Sequence, residues 1–237
     1  MHMRLAKLAA LSALLTVAAL SSACTQAAPQ TEVPARPAAS RPDTAPPASA
    51  LASVEVTSFK GKPLDAVSAE PENSIKGPQR IDIKKYRLTV TGQVKTPLSL
   101  TYDQVLAMPA YQKVTTLNCV DGWSMTYLWQ GVLLKDLLRK AGYDRNAKIV
   151  IFRCSDGYFT SLPLDYLVTN NILLADRMNG LKMPPERGFP FQVVAEDQVG
   201  YKWAKWITGI EVSSDTRFRG YYERMGYSNS EVPPADK

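Results

Sequence analysis

A mixed α+β domain is the fold class this chain predicts, and three observations lead there. Short apolar runs bounded by Gly, Pro and Asp-Gly turns recur along residues 54–237, as strands do. Only a few stretches carry helical spacing between them. Strands and helices do not follow the regular strand-helix-strand order that builds a parallel sheet, and no internal repeat is present.

Taken in order, Tyr86 to Gly92 alternates and ends in glycine, which reads as a strand. Thr101 opens a short helix, with Gln104 three places on in capping-box spacing and Pro109 as its stop. Val114 to Cys119 is a second strand, delivering Cys119 to the Asp121-Gly122 turn. Val132 to Ala141 places Leu134, Leu137, Leu138 and Ala141 on one helical face, with Gly142 just past its end. Ile149 to Phe152 suits a buried strand that leads to Cys154. Asp156-Gly157 then turns the chain into Tyr158 to Leu162, and Pro163 opens another short helix. Phe191 to Ala195 and Trp206 to Val212 are further strands.

Ahead of this domain the composition changes twice. Residues 1–23 run from Arg4 and Lys7 through an apolar stretch, Leu8 to Leu20, to small residues, the order of an export signal too short to span a bilayer. Cys24 directly after Ser21-Ser22-Ala23 resembles a bacterial lipoprotein cleavage site, where the cysteine becomes the lipidated first residue. Thr25 to Ala50 holds 6 Pro and 8 Ala in 26 residues, without apolar periodicity. It reads as an extended tether reaching about 80 Å at roughly 3.1 Å per residue. The expectation is therefore a signal peptide over 1–23, a lipidated Cys24 and linker over 24–53, and one domain over 54–237 in the cell envelope, anchored to a membrane.

The charge of the whole chain is +6, and no basic run or aromatic-basic interleaving suggests nucleic acid. The one histidine, His2, lies in the leader. Catalysis through histidine, imidazole metal sites and bis-histidine haem are thereby removed from the mature domain. Its two cysteines, Cys119 and Cys154, fit either a disulfide or free thiols, and structural zinc spacing is absent.

Three stretches carry a family resemblance. The first is Asn73-Ser74-Ile75-Lys76-Gly77-Pro78-Gln79. The second runs from Leu117 through Asn118-Cys119-Val120-Asp121-Gly122-Trp123 to Trp129-Gln130-Gly131-Val132. The third comprises Leu173 to Gly180, Pro184 to Phe191 and Val199 to Trp206. In this order they resemble the sulfite-oxidase-type molybdopterin-dependent oxidoreductases.

The resemblance implies that fold and a molybdenum-molybdopterin cofactor, with Cys119 as the thiolate ligand of molybdenum, a soft donor suited to it. It places Asn73, Ile75, Lys76, Trp203, Ala204 and Lys205 against the cofactor, and Cys154 where related methionine-sulfoxide reductase subunits hold threonine. Gly200 with Lys202 and Lys205 offers a cradle for the pterin phosphate. Arg187 stands where His or Asn is common, and Gln192 where Arg is common, so either Arg187 supplies the cation that Gln192 cannot or the cofactor contacts are rearranged. The cofactor's chemistry moves an oxygen atom to or from a small substrate. Asp121 is the candidate for protonating that oxygen, and Trp123, Tyr158 and Tyr201 for lining the substrate cavity.

No cationic cluster of the kind sulfite oxidases use is visible, so a neutral sulfoxide or N-oxide suits at least as well as sulfite. Haem motifs, flavin fingerprints and cluster cysteines are lacking, which implies a separate electron partner, a membrane haem or quinone-linked subunit or a cytochrome. The leader has no Arg-Arg pair, whereas such proteins usually cross membranes folded by the twin-arginine route. That tension keeps a rival open: a lipid-anchored accessory module of the same fold, without cofactor and with a Cys119–Cys154 disulfide.

Overall fold

The computed structural model describes residues 55–229 together with Glu32 and Val33. The expected leader, Cys24 and most of the tether lie outside the described residues. The strands are β1 (Glu32–Val33), β2 (Ser58–Phe59), β3 (Lys62–Pro63), β4 (Leu88–Gly92), β5 (Leu98–Leu100), β6 (Ala110–Asn118) and β7 (Ser124–Leu133). They continue as β8 (Ile149–Cys154), β9 (Phe159–Pro163), β10 (Leu173–Met178), β11 (Leu181–Lys182), β12 (Gln192–Val194) and β13 (Ile207–Ser213). Among the described residues the α-helices are α1 (Tyr102–Leu106), α2 (Leu134–Ala141) and α3 (Leu164–Thr169), all short.

Two main sheets form. One has the order β1-β6-β7-β10-β11, with β12 also paired to β10, and the other β5-β4-β13-β8-β9. Only β4 and β13 pair in parallel within these sheets; the remaining ladders are antiparallel. This is the mixed α+β architecture that the sequence predicts. One continuous apolar core joins both sheets and the helices, with Trp129, Leu134, Leu137, Phe152, Val193 and Ile210 all fully buried. No helix among the described residues is long and apolar enough to cross a membrane.

Local signals held at α1, where the Thr101 hydroxyl accepts from the Gln104 N–H and the Gln104 side chain accepts from the Thr101 N–H. At α2, Gly142 takes the left-handed cap and donates to the carbonyls of Leu138 and Arg139. The start of α2 differs from expectation. Val132 and Leu133 stay extended because they pair with Leu174 and Leu173 of β10, so the helix begins two residues later. The strand they belong to, β7, does not alternate, since its second half is buried on both faces. Two tether residues also pair: Glu32 and Val33 oppose Tyr111 and Ala110 on the outer edge of β6.

The Trp-Gln-Gly-Val stretch has a packing reason. A Cβ on Gly131 would stand 2.0 Å from the Leu174 carbonyl oxygen of the neighbouring strand. The Met-Asn-Gly stretch is structural as well. Fully buried Asn179, at positive φ, accepts from the Leu128 N–H and donates to Glu55 and to the Asp65 carbonyl, fastening the start of the domain.

Gly131→Ala should therefore force β7 and β10 apart. A stability loss of about 1–3 kcal/mol is expected. Thermal unfolding should show it as a midpoint several degrees lower, and an unchanged midpoint would contradict the close approach.

Candidate active site

The site begins where β6 ends. Asn118 bridges in parallel to Val199, which sets Cys119 beside Gly200. Cys119 caps its own turn: its N–H donates to the Trp123 carbonyl, and its carbonyl accepts from the Gly122 N–H. Its thiol is half-buried and projects into a cavity of about 140 Å³. That is room for on the order of ten waters, and so for a small organic group.

Four other segments supply walls. The loop ahead of β4 brings Asn73, Ser74 and Ile75; the β8–β9 turn brings Asp156 and Tyr158. The stretch before β13 brings Tyr201, Trp203, Ala204, Lys205 and Trp206, and the C-terminal segment brings Tyr222 and Tyr227. Backbone carbonyls hold the aromatic walls in place: Trp203 donates to Gln198 at 2.8 Å, Trp206 to Pro185 at 2.7 Å and Tyr158 to Tyr201. Trp206 itself adopts a φ of 54, a strained conformation for a bulky residue, at the wall of the site.

Around the Cys119 sulfur, the Asn73 amide donates at 3.8 Å and Asp121 Oδ2 accepts the thiol proton at 3.5 Å. Burial lifts the thiol above its usual pKa, while the backbone N–H at Asp121 works the other way. Lys205 reaches Asn73 Oδ1 at 3.2 Å and the buried Glu70 carboxylate at 3.8 Å. Burial lowers the Lys205 ammonium, and Glu70 opposes that shift. Asp156 is buried at the wall, and burial raises its carboxyl. Its own turn answers with the Tyr158 N–H, and the charges of Lys76 and Lys205 also pull it down.

The sequence-predicted residues divide. Asn73, Ile75, Cys119, Asp121, Trp203, Ala204 and Lys205 meet at the cavity. Lys76 stands at its margin, its ammonium near Gly157. Cys154 lies at the end of β8 within the apolar core, and burial pushes its thiol well up. Arg187 does not line the cavity: it pairs with Glu70 at 3.2 Å and donates to the Pro71 and Glu70 carbonyls. It thereby fastens the loop that carries Asn73. Gln192 is buried in β12 and packs across Gly188 from Lys205.

Two expectations are corrected. Cys119 and Cys154 are both free thiols, so the expected alternative of a Cys119–Cys154 disulfide does not hold. Lys202 does not join Lys205 in an anion cradle; it is fully buried and points away, paired with Glu223. Of the aromatic candidates, Tyr158 and Tyr201 line the cavity and Trp123 does not. Sequence reasoning missed Ser74, Tyr222 and Tyr227, and took Asp156 only as a turn residue. The Cys-Ser-Asp-Gly turn was the available signal, since it places a carboxylate two residues from a buried strand end.

Residues 75–222 match the model of the oxidoreductase molybdopterin binding domain. The chain belongs to that family. It is 38% identical over 147 residues to the uncharacterized oxidoreductase YuiH of Bacillus subtilis, covering 62% of this chain and 74% of that one. It is 33% identical over 150 residues to the putative protein-methionine-sulfoxide reductase subunit YedZ1 of Azospira oryzae, covering 63% and 57% respectively. With the protein-methionine-sulfoxide reductase catalytic subunit MsrP of Campylobacter jejuni it shares 24% over 165 residues, 62% of this chain and 56% of that one. The chain thus spans little more than half the length of these two reductase relatives. The sulfane dehydrogenase SoxCD of Paracoccus pantotrophus has a similar fold, with TM-score 0.56 at 19% identity over 71% of this chain and 53% of that one.

Membership makes this an oxidoreductase whose cofactor is molybdenum-molybdopterin. The cavity suits such a group. It offers a half-buried thiol, a soft donor suited to molybdenum, with an amide donor and an ammonium group beside it. At the cavity wall, Ser74 Oγ is buried without a hydrogen-bond partner among the described residues. A bound polar group would satisfy it.

The Glu70 contacts can be checked directly. Arg187→Ala removes the nearer cation from a buried carboxylate and should cost about 3 kcal/mol in denaturant unfolding. Cofactor content should fall with it, because Asn73 loses its support; an unchanged unfolding curve would show that Lys205 suffices alone.

Proposed function

We propose that this chain reduces a neutral oxygen-bearing substrate, a sulfoxide or N-oxide, by oxygen-atom transfer, with Cys119 as the protein ligand of molybdenum. The observation that carries the reading is the surroundings of the Cys119 sulfur: a thiol open to the cavity, beside an amide donor and a carboxylate. When the cofactor is bound, it supplies the two-electron exchange that removes or adds the oxygen.

The chain's own groups do the rest. The Asn73 amide supports a thiolate by donating to it. With Cys119 held as a thiolate, Asp121 Oδ2 would be free of the thiol donor and would be placed to hold a proton for the departing substrate oxygen. Lys205, Asn73, Ser74 and Ala204 hold the cofactor, with Gln192 and Lys76 at its margin. Arg187 positions the loop, and Cys154 backs the wall from the core.

Charge selects the substrate class. The lining carries Asp121 and Asp156 against the single cation Lys205, a poor surface for an anion such as sulfite. The Tyr and Trp walls suit a neutral, partly apolar molecule. Both reductase relatives are named as subunits for protein-methionine sulfoxide, which supports a sulfoxide and a separate electron-delivering partner, here a membrane haem or quinone-linked subunit or a cytochrome. Signal residues 1–23, lipidated Cys24 and the tether would hold the domain at a membrane facing the envelope.

Protein purified from its native envelope should contain stoichiometric molybdenum and reduce a methionine sulfoxide with a chemical electron donor. Cys119→Ala should lose both the metal and the activity. Asp121→Asn should keep the metal and lose about 10²–10⁴-fold in kcat, the range of a general acid. Molybdenum-loaded protein that oxidises sulfite and leaves sulfoxides untouched would overturn the substrate class.

A further inference from the structure

Behind the aromatic walls lies an ion pair that the proposed chemistry does not use. Lys202 and Glu223 are both fully buried, one in the single turn Gly200–Lys202 and the other in the single turn Glu223–Met225. The Lys202 ammonium pairs with Glu223 Oε1 and also donates to the Ser161 carbonyl at 3.3 Å and to Asn229 Oδ1 at 2.9 Å. Thr160 donates to the same Glu223 oxygen at 3.2 Å. The backbone makes room for this cluster, since a Cβ on Gly220 would stand 2.3 Å from Glu223 Oε2.

Two buried charges cost several kcal/mol each in lost hydration, and an apolar contact would hold two surfaces together at least as well. What the pair adds is register. Lys202 stands between cavity-lining Tyr201 and Trp203, and Glu223 follows cavity-lining Tyr222 with Tyr227 four places on. Tyr201 meets Tyr222 at 5.9 Å and Tyr227 at 5.5 Å between ring centroids, and Tyr222 meets Tyr227 at 5.3 Å. Tyr222 lies close enough to Cys119 and Asp121 for their charges to act on its hydroxyl. The Tyr201 hydroxyl donates to the Ser228 carbonyl at 2.8 Å.

We propose that the Lys202–Glu223 pair is a latch that docks the C-terminal segment Gly220–Asn229 in one register, so that Tyr222 and Tyr227 form the wall of the cavity facing Cys119. Lys202 and Glu223 are positioning residues, acting through these two tyrosines. The claim about the wall is independent of the reaction. The claim that the latch sets substrate affinity rests on the sulfoxide reading above.

The test uses the cofactor-loaded full chain and two variants. Glu223→Gln keeps the shape and removes one charge; Asn229→Ala removes one partner of Lys202 without leaving a charge unpaired. Amide hydrogen exchange in residues 218–229 should speed up by about tenfold in Glu223→Gln and by a smaller factor in Asn229→Ala, with β6 and β7 unchanged. Metal content should stay at the level of the unaltered chain. For methionine sulfoxide, KM should rise about tenfold in Glu223→Gln with kcat within about twofold.

Unchanged exchange in 218–229 would overturn the latch. Should Glu223→Gln fail to fold, Asn229→Ala decides by the same reading. Faster exchange with an unchanged KM would overturn the role in substrate affinity and leave the docking role. Faster exchange in a chain that reduces no sulfoxide at all would leave the latch standing and reject the substrate reading instead.

Discussion

The Glu70 carboxylate, with a side chain only 2% exposed, sits between Arg187 at 3.2 Å and Lys205 at 3.8 Å, and the geometry of the site follows from that contact. Arg187 belongs to the turn after β11, Lys205 to the stretch before β13, and Glu70 to the loop ahead of β4. Three segments far apart in sequence are thus pinned by one buried anion. A lone buried charge would be intolerable, so none of the three partners can move without cost to the others. Asn73, three residues past Glu70, is carried by this anchor to where its amide meets the Cys119 sulfur and its oxygen meets Lys205. The cavity is in this sense assembled around a carboxylate that does not line it.

How much of this was legible follows from the kind of force involved. The capping box at Thr101 and the Gly142 cap were readable because local hydrogen bonds write their own spacing. The class of fold followed from the same local patterning. The ten-residue strand β7 was not readable as a strand, because burial on both faces of its second half erases alternation. Among site residues, those carried by contiguous motifs around Cys119, Asn73 and Lys205 were visible. Glu70 was invisible because it matters through contacts more than a hundred residues away in the chain, and Tyr222 and Tyr227 because they are placed by ring packing on Tyr201, which leaves no local spacing. Lys202 was misread for a related reason: a lysine three residues from Lys205 has no mark in the sequence showing that it faces Glu223 instead.

The charges of the cavity and the charges behind it do different work. Lys205 and Asp156 stand at the wall, where burial weakens the charged form of each and a bound polar group can restore it. Lys202 and Glu223 are closed off from that wall, and no ligand can reach them. Burial also lowers the Lys202 ammonium, and Glu223 opposes that shift from inside the fold, before anything binds. An open wall and a closed backing are what a binding site needs: one surface must gain on binding while the other holds its shape.

The two cysteines show how narrowly that distinction is drawn. Both stand at or just past the end of a strand, Cys119 after β6 and Cys154 at the end of β8, and both precede an Asp-Gly turn by one residue. Burial raises the pKa of each thiol. Cys154 is enclosed by the core, and the charge of Asp156 adds to its resistance to ionisation. Cys119 has what a thiolate requires: an opening to the cavity, the Asn73 amide aimed at its sulfur and a backbone N–H that favours the anion. With the same side chain at the two positions, it is the loop pinned by Glu70 that opens Cys119 to the cavity beside an amide donor, while Cys154 stays part of the core.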